Sequence, residues 1–328
     1  MISTTSSHLR AWLKEHTSSR ALRWLRFANT LRQAAHYWIP YNFRDGSAWP
    51  PTHLTLDITY ICNLKCEMCP QAIDFEKEDS NLHKQFKSRK ELTTDQILHL
   101  IDEAADYGVR VFAITGGEPF LRKDILTLIE RVKQRRMDCQ ILTNGMLIKP
   151  LTAARLVELG VDKITISVDG PERIHNLIRK NPTSFQRLIE SVGLIQQEKQ
   201  RLGSNLPYLA FSNTISATNT KYLSELMGVA GQHGVNLNFG YLYYVTDKME
   251  RQTGRILEKA LQMDQVKGED QNIPDVLKQI DPHAIEEQIH EIRQKERQYR
   301  VKANFTPNLT PEEVRQRYED ATHAYANK

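Results

Sequence analysis

The amino-acid sequence predicts an α/β fold with parallel strands, and three observations carry that reading. Six strand patterns alternate strictly with five helix patterns between His53 and Tyr241. The strand patterns are short and apolar, as in strands covered on both faces. The stretches that look chemically loaded all fall at the carboxyl ends of those strands. Strict alternation implies right-handed crossovers between parallel neighbours. A barrel and an open doubly wound sheet both satisfy the pattern, and both place chemistry at the carboxyl ends of the strands.

Residues 1–50 come first and stand apart. Positions 1–40 hold six basic residues, Arg10, Lys14, Arg20, Arg23, Arg26 and Arg32, against the single acid Glu15, and all four tryptophans lie in the first 49 positions. Leu9, Leu13, Leu22, Leu25, Ala28 and Leu31 predict two short amphipathic helices. The first expectation is that they pack on the main domain with their arginines in solvent. The second is contact with an anionic membrane surface. Trp49-Pro50-Pro51 ends the segment, because proline does not continue a helix.

Leu54, Leu56 and Ile58 alternate as strand one, followed by a cysteine-bearing loop and a charged, exposed stretch from Asp74 to Lys90. Thr93-x-x-Gln96 is a capping box for a helix with Ile97, Leu98, Ile101 and Ala105 on one face, closed by Gly108. Strand two runs from Val109 to Thr115, and helix two carries Ile125, Leu128, Ile129 and Val132. Strand three is Cys139 to Thr143, helix three Ala153 to Leu159, and strand four Lys163 to Val168. Thr183-x-x-Gln186 predicts a second capping box, opening helix four with Phe185, Leu188, Ile189 and Val192 inward. Strand five is Tyr208 to Ile215, and helix five carries Leu223, Leu226, Met227 and Ala230. Val235, Leu237, Phe239 and Tyr241 alternate as strand six.

After Tyr244 the alternation stops. Asp281 caps a helix with Pro282 in its first turn and Ile285, Ile289 and Ile292 on one face, and Thr310-Pro311-Glu312-Glu313 opens a last helix. The expected division is a helical segment 1–50, a core 51–245 and a helical extension 246–328.

The 328 residues are ordinary in composition, 40% hydrophobic and 26% charged, and the net charge of +4 is too small to point to nucleic acid. Three of the four cysteines share one motif; Cys139, in strand three, reads as a small buried hydrophobe. With no disulfide framework in sight, a reducing cytoplasm is the expected compartment. Neither a secretory core nor a run of transmembrane length is visible.

Cys62, Cys66 and Cys69 are spaced C-x3-C-x2-C on the loop leaving strand one. A loop can gather three thiolates about one soft metal centre, which selects iron–sulfur or zinc. Structural zinc takes four protein ligands, and no nearby Cys or His completes such a site. Three thiolates on a cubane leave one iron open to a substrate or cofactor. Thr115-Gly116-Gly117-Glu118-Pro119 follows strand two: paired glycines let the backbone approach a ligand, and the carboxylate can accept from an ammonium. Read alone, it is a plain βα turn. Thr143-Asn144-Gly145 ends strand three and is a good turn sequence. Ser167-Val168-Asp169-Gly170-Pro171 ends strand four, with Ser167 and Asp169 on one face. Arg179, in His175-Asn176-Leu177-Ile178-Arg179, is either a surface arginine or a bidentate partner for a carboxylate. Asn213 and Asn219 flank the end of strand five, where Asn219 also reads as a helix cap.

The cysteine motif, Gly-Gly-Glu turn and the run Phe120-Leu121-Arg122-Lys123-Asp124 together resemble the signature of the radical S-adenosylmethionine (SAM) enzymes, over roughly residues 51–245. The resemblance implies a partial (β/α)6 TIM-like barrel with an open side for substrate. It implies a 4Fe-4S cluster on Cys62, Cys66 and Cys69, with SAM chelated to the open iron. An electron, delivered by a flavodoxin- or ferredoxin-type donor, then cleaves SAM to methionine and a 5′-deoxyadenosyl radical, which abstracts hydrogen from an unactivated C–H bond. Gly116, Gly117 and Glu118 correspond to the site for the SAM amino group, and Met68 and Phe239 to packing beside adenine. Ser167 and Asp169 correspond to contacts with the ribose and methionine moiety, Arg179 to the SAM carboxylate, and Asn213 to a residue facing the cofactor. The end of the chain resembles the linker of relatives with a SPASM or twitch domain, whose auxiliary clusters need many cysteines; none follows Cys139. A peptide or protein is the expected substrate, with truncation before an auxiliary domain, or activity without one, as the two explanations of the cysteine count. The competing readings are a remnant that binds the cluster without turnover and a membrane-associated enzyme acting on a lipid.

Overall fold

A computed structural model describes residues 49–69, 91–241 and 280–319, with scattered positions between Ala28 and Phe43. Expectations for the rest of residues 1–50, including membrane contact, for the Asp74–Lys90 stretch and for residues 242–279 lie outside the described residues.

The strands are β1 (His53–Asp57), β2 (Val111–Thr115), β3 (Asp138–Thr143), β4 (Lys163–Ser167), β5 (Tyr208–Ile215), β6 (Asn236–Tyr241) and β7 (Ala303–Thr306). They pair in chain order, every pair parallel, in one seven-stranded sheet. The helices are α1 (Thr94–Asp106), α2 (Ile125–Gln134), α3 (Pro150–Glu158), α4 (Glu172–Arg179), α5 (Ser184–Arg201), α6 (Leu226–His233), α7 (Pro282–Tyr299) and α8 (Pro311–Glu319). The sheet is open, as in a partial TIM-like barrel.

Side-chain alternation decides which face is core. Phe112, Ile114, Ile141, Ile164, Ile166, Phe211, Leu237 and Phe239 are buried and share one continuous core with Ile97, Ile101, Leu128, Leu156, Leu188 and Val192 of the helices. The strand residues between them, such as Thr165, Ser167, Ser212, Thr214 and Asn238, are only partly buried. One face is therefore sealed by helices, and the other is polar and open.

The structure departs from the sequence expectation at three places. β7 was not expected. Val301, Ala303 and Phe305 are buried and alternate with exposed Lys302, Asn304 and Thr306, a signal only four strand residues long. Neighbours fix it: Arg293 of α7 donates to the Ala303 carbonyl at 2.7 Å, the Ala303 N–H donates to Glu296 at 2.8 Å, and Phe305 stacks on Phe239 with ring centroids 5.0 Å apart. The helix α4 was also missed; its apolar signal is the single pair Ile174 and Ile178, four apart on one face. The Thr183 capping box does not form. The Thr183 hydroxyl donates to Asn181 Oδ1, and Asn176 caps α5 instead, its Oδ1 accepting from the Phe185 N–H and the Ser184 hydroxyl. The other two boxes form as expected, at Thr93 with Gln96 and at Thr310 with Glu313.

Two helical glycines give opposite predictions. A Cβ on Gly193 in α5 meets nothing within 4 Å, whereas on Gly231 in α6 it comes within 2.8 Å of Tyr299 Cβ and Cδ1. Gly193→Ala should stabilise the fold by about 0.5–1 kcal/mol through helix propensity alone. Gly231→Ala should destabilise it despite the same gain, and Tyr299→Ala should relieve only the ring's share of the penalty, because its Cβ remains. Urea unfolding of the two single variants and the Gly231→Ala/Tyr299→Ala double variant checks both signs.

Candidate active site

The cysteine loop leaves β1 and is clamped on every side by backbone and side-chain contacts. Behind it, the Gly117 N–H donates to the Thr59 carbonyl at 2.7 Å and the Glu118 N–H to the Ile61 carbonyl at 2.9 Å, continuing the β1–β2 pairing past the strands. This pairing explains the glycines. A Cβ on Gly117 would stand 2.3 Å from the Ile61 carbonyl oxygen, and one on Gly116, at φ +132°, 2.3 Å from that of Thr59. The close approach these glycines permit is to the chain's own loop. At the loop's start, Glu91 accepts from the Thr59 hydroxyl at 2.6 Å and the Tyr60 N–H at 2.9 Å, and Arg122 donates to the Ile58 carbonyl at 3.1 Å. Toward β3, Asn144 donates to Asn63 Oδ1 at 2.9 Å. On the far side, the Glu67 N–H donates to the Ile178 carbonyl of α4 at 3.0 Å. Leu64, Cys66 and Met68 pack with Ile174 and Ile178 in a second small core.

Glu118 is fully buried. Its Oε1 accepts from the Thr143 hydroxyl at 2.7 Å and the Phe120 N–H at 3.1 Å, and its Oε2 from the Asn144 N–H at 2.8 Å. Burial pushes its carboxyl up, and those hydrogen bonds partly oppose the rise. As arranged, the carboxylate braces the ends of β2 and β3 against each other.

Cys62 is exposed, Cys69 partly so and Cys66 buried. Burial pushes the Cys66 thiol up to about 11, against the pull of Arg179. A bound metal ion is what converts such a thiol to thiolate at neutral pH. Among the described residues, no three His, Cys, Asp or Glu side chains stand as close as the ligands of a single ion. Three cysteines on one loop are a ligand set of the kind iron–sulfur clusters take.

Above β4, Asp169 is wholly buried and its Oδ2 is paired with Arg179 Nε. The Nη1 of the same arginine donates to Cys66 Sγ at 3.5 Å. Asp169 Oδ1 is buried without a hydrogen-bond partner. The Asp169 N–H donates to His175 Nδ1 at 3.1 Å, which places the proton of the neutral ring on Nε2. Ser167 lies on the open face, in register with Ser212.

The structure thus brings Cys62, Cys66, Cys69, Asp169, Arg179 and, on the adjoining open face, Ser167 together at one end of the sheet. It draws others away. Met68 turns into the small core under the loop. Phe239 sits in the main core stacked on Phe305, on the helix side, so the expected packing beside adenine is not what its side chain does here. Asn213 lies in register with Phe239 on that same side, donating to the Val168 carbonyl at 3.1 Å, and its Oδ1 has no partner. Asn219 caps no helix; it closes its own turn, accepting from the Ser216 N–H and donating to the Thr214 carbonyl, both at 2.8 Å. Arg179 was expected at the SAM carboxylate, whereas the carboxylate it meets here is Asp169; its contact with Cys66 and the acceptor role of His175 had no sequence signal.

Two variants probe this arrangement. Gly117→Ala should cost about 2–4 kcal/mol, because backbone rather than a flexible side chain meets the new methyl, and it should reduce metal uptake by displacing the loop. Burial pushes the His175 imidazole down to about 4, with Asp169 only partly opposing. The unfolded chain takes this proton near the ordinary value of 6.5, so the stability gained from the neutral ring is complete above that value. It is lost as pH falls toward 4, by up to about 3 kcal/mol. Urea midpoints at pH 7 and pH 5 should fall more for the parent than for His175→Gln; equal falls would mean the ring is not held neutral.

The radical SAM superfamily profile matches residues 56–210. Over 152 residues the chain is 34% identical to the PqqA peptide cyclase of Granulibacter bethesdensis, covering 44% of this chain and 38% of that one. Over 160 residues it is 31% identical to the AdoMet-dependent heme synthase of Nitratidesulfovibrio vulgaris, covering 48% and 40%. The chain therefore spans less than half the length of these relatives. The crystal structure of SuiB from Streptococcus suis shares the fold at a TM-score of 0.57 and 15% identity, over 87% of this chain and 56% of that one. Superfamily members use a 4Fe-4S cluster and SAM. Residues 56–210 thus match the radical SAM superfamily.

Proposed function

We propose that this chain holds a 4Fe-4S cluster on Cys62, Cys66 and Cys69, binds SAM against it, and directs the chemistry to a peptide lying across the open face of the sheet. The observation that carries the reading is the three-cysteine loop at the end of β1 with Asp169 Oδ1 beside it, buried and without a partner. A buried carboxylate oxygen left without a donor is costly. The ribose hydroxyls and ammonium of SAM are donors of the kind it lacks, so the residues present fit the cofactor. When bound, the cluster supplies the electron, drawn from a flavodoxin- or ferredoxin-type donor, that cleaves SAM to the 5′-deoxyadenosyl radical.

The protein's part is positional. The clamps at Thr59, Ile61, Asn63 and Glu67 hold the three thiols at the mouth of the sheet. Asp169 offers an acceptor there, Ser167 a hydroxyl on the open face, and the packed helices keep water from the other face.

Support for a peptide comes from the open face. In its carboxyl-end half, the described strand residues present Thr165, Ser167, Ser212, Thr214, Asn238 and Asn304 beside the exposed Leu142, with Asp57 as the one charge. Hydroxyls and amides pair with a peptide backbone. The phosphates of a nucleotide or the carboxylates of a porphyrin call for arginine or lysine. SuiB, whose fold this chain shares, has been solved with its precursor peptide SuiA. Among the described residues, no helix is long and apolar enough to cross a membrane.

Anaerobic reconstitution should load about four irons per chain, and dithionite with SAM should release 5′-deoxyadenosine. Cys66→Ala should abolish both, and Cys139→Ala neither. Stoichiometric zinc with no iron uptake, or iron-loaded protein that leaves SAM intact, would overturn the reading. Deuterium carried into 5′-deoxyadenosine from a labelled peptide pool, and not from labelled porphyrin, would support the peptide; the reverse would contradict it.

A further inference from the structure

Resting on that reading of the three cysteines, we infer that Arg179 is a positioning residue that sets the reduction potential of the cluster, and that Asp169 limits how far it does so. The guanidinium bridges the two: Nε is held by Asp169 Oδ2, and Nη1 donates to Cys66 Sγ at 3.5 Å. Its side chain is 12% exposed and that of Asp169 not at all, so water screens neither charge well. The arginine reaches the sulfur from the last residue of α4. That helix is fixed to the cysteine loop by the Glu67-to-Ile178 backbone hydrogen bond and by the apolar contacts of Ile174 and Ile178. The N–H···S contact is thus built into the same unit as the ligand it touches.

The physics fixes the sign. Reduction by one electron takes the cluster from the 2+ to the 1+ state and leaves the metal centre with one more negative charge. A cationic donor on a ligating sulfur stabilises the reduced form and raises the potential; hydrogen bonds to the sulfurs and net charge are the protein's levers on such clusters. Asp169 acts in the opposite sense, by its negative charge and by holding part of the guanidinium's hydrogen-bonding capacity. The two residues therefore have opposed effects on one observable, which a purely structural role for the pair does not predict. Merely loosening the site would lower iron content without shifting the potential in residue-specific directions.

The test is redox titration of the reconstituted protein without SAM, followed by electron paramagnetic resonance of the reduced cluster, with iron counted for every sample. Asp169→Asn should raise the midpoint. The double variant Arg179→Met/Asp169→Asn, which keeps the pair's net charge at zero and removes the donor, should lower it. A tenfold change in the reduction equilibrium corresponds to 59 mV for a one-electron couple, and the double variant is expected to reach at least that shift. Arg179→Lys, the conservative variant, should fall between parent and double variant. Unchanged midpoints in the iron-loaded single and double variants, or a downward shift for Asp169→Asn, would overturn the inference. Should the double variant not load iron, the direction of Asp169→Asn and Arg179→Lys decides. Failure of the parent itself to take up iron would instead strike at the cluster assignment, so the two failures are distinguishable.

Discussion

Two backbone hydrogen bonds, from Gly117 to Thr59 and from Glu118 to Ile61, are the contacts on which the rest of the site depends. They extend the pairing of β1 and β2 beyond the strands and turn what would be a free loop into an edge of the sheet. Only a chain without side chains at 116 and 117 can come that close, since a Cβ at either position would fall 2.3 Å from a carbonyl oxygen. The space beside both glycines is taken by the loop that carries the cysteines.

From that anchor the other braces follow in sequence around the sheet. Glu118 fastens β2 to the Thr143–Asn144 turn after β3, and Asn144 reaches back to Asn63 between the first two cysteines. Beyond β4, α4 closes the circuit through Ile178 and Arg179. The buried polar groups of this circuit, Glu118 and Asp169 above all, are tolerable because nearly every oxygen is met by a donor. Asp169 Oδ1 is an exception, and the other oxygen of that carboxylate holds the arginine that reaches Cys66.

Much of this was legible in the sequence, and the reasons differ by feature. The alternation of strands and helices was readable because parallel strands need crossovers, which impose a long and regular pattern; six of seven strands came from it. The cysteine spacing was readable because metal chemistry demands particular atoms. β7 was not, because four alternating residues become a strand only through α7, β6 and the Phe239–Phe305 stack, all remote in sequence. Phe239 shows a related limit: alternation divides a strand into two faces but does not say which one the helices cover. Thr183 shows another, since a capping box competes with any better acceptor nearby, and Asn176 supplied one.

In the proposed cluster, the three cysteines ligate three irons and leave a fourth for SAM. The most direct measurement is Mössbauer spectroscopy of protein reconstituted with iron-57, recorded with and without SAM. One iron of the cluster should change its isomer shift and quadrupole splitting when SAM is added, while the other three stay as they were. A spectrum in which SAM alters no iron, or in which all the irons are equivalent and unchanged, would contradict it.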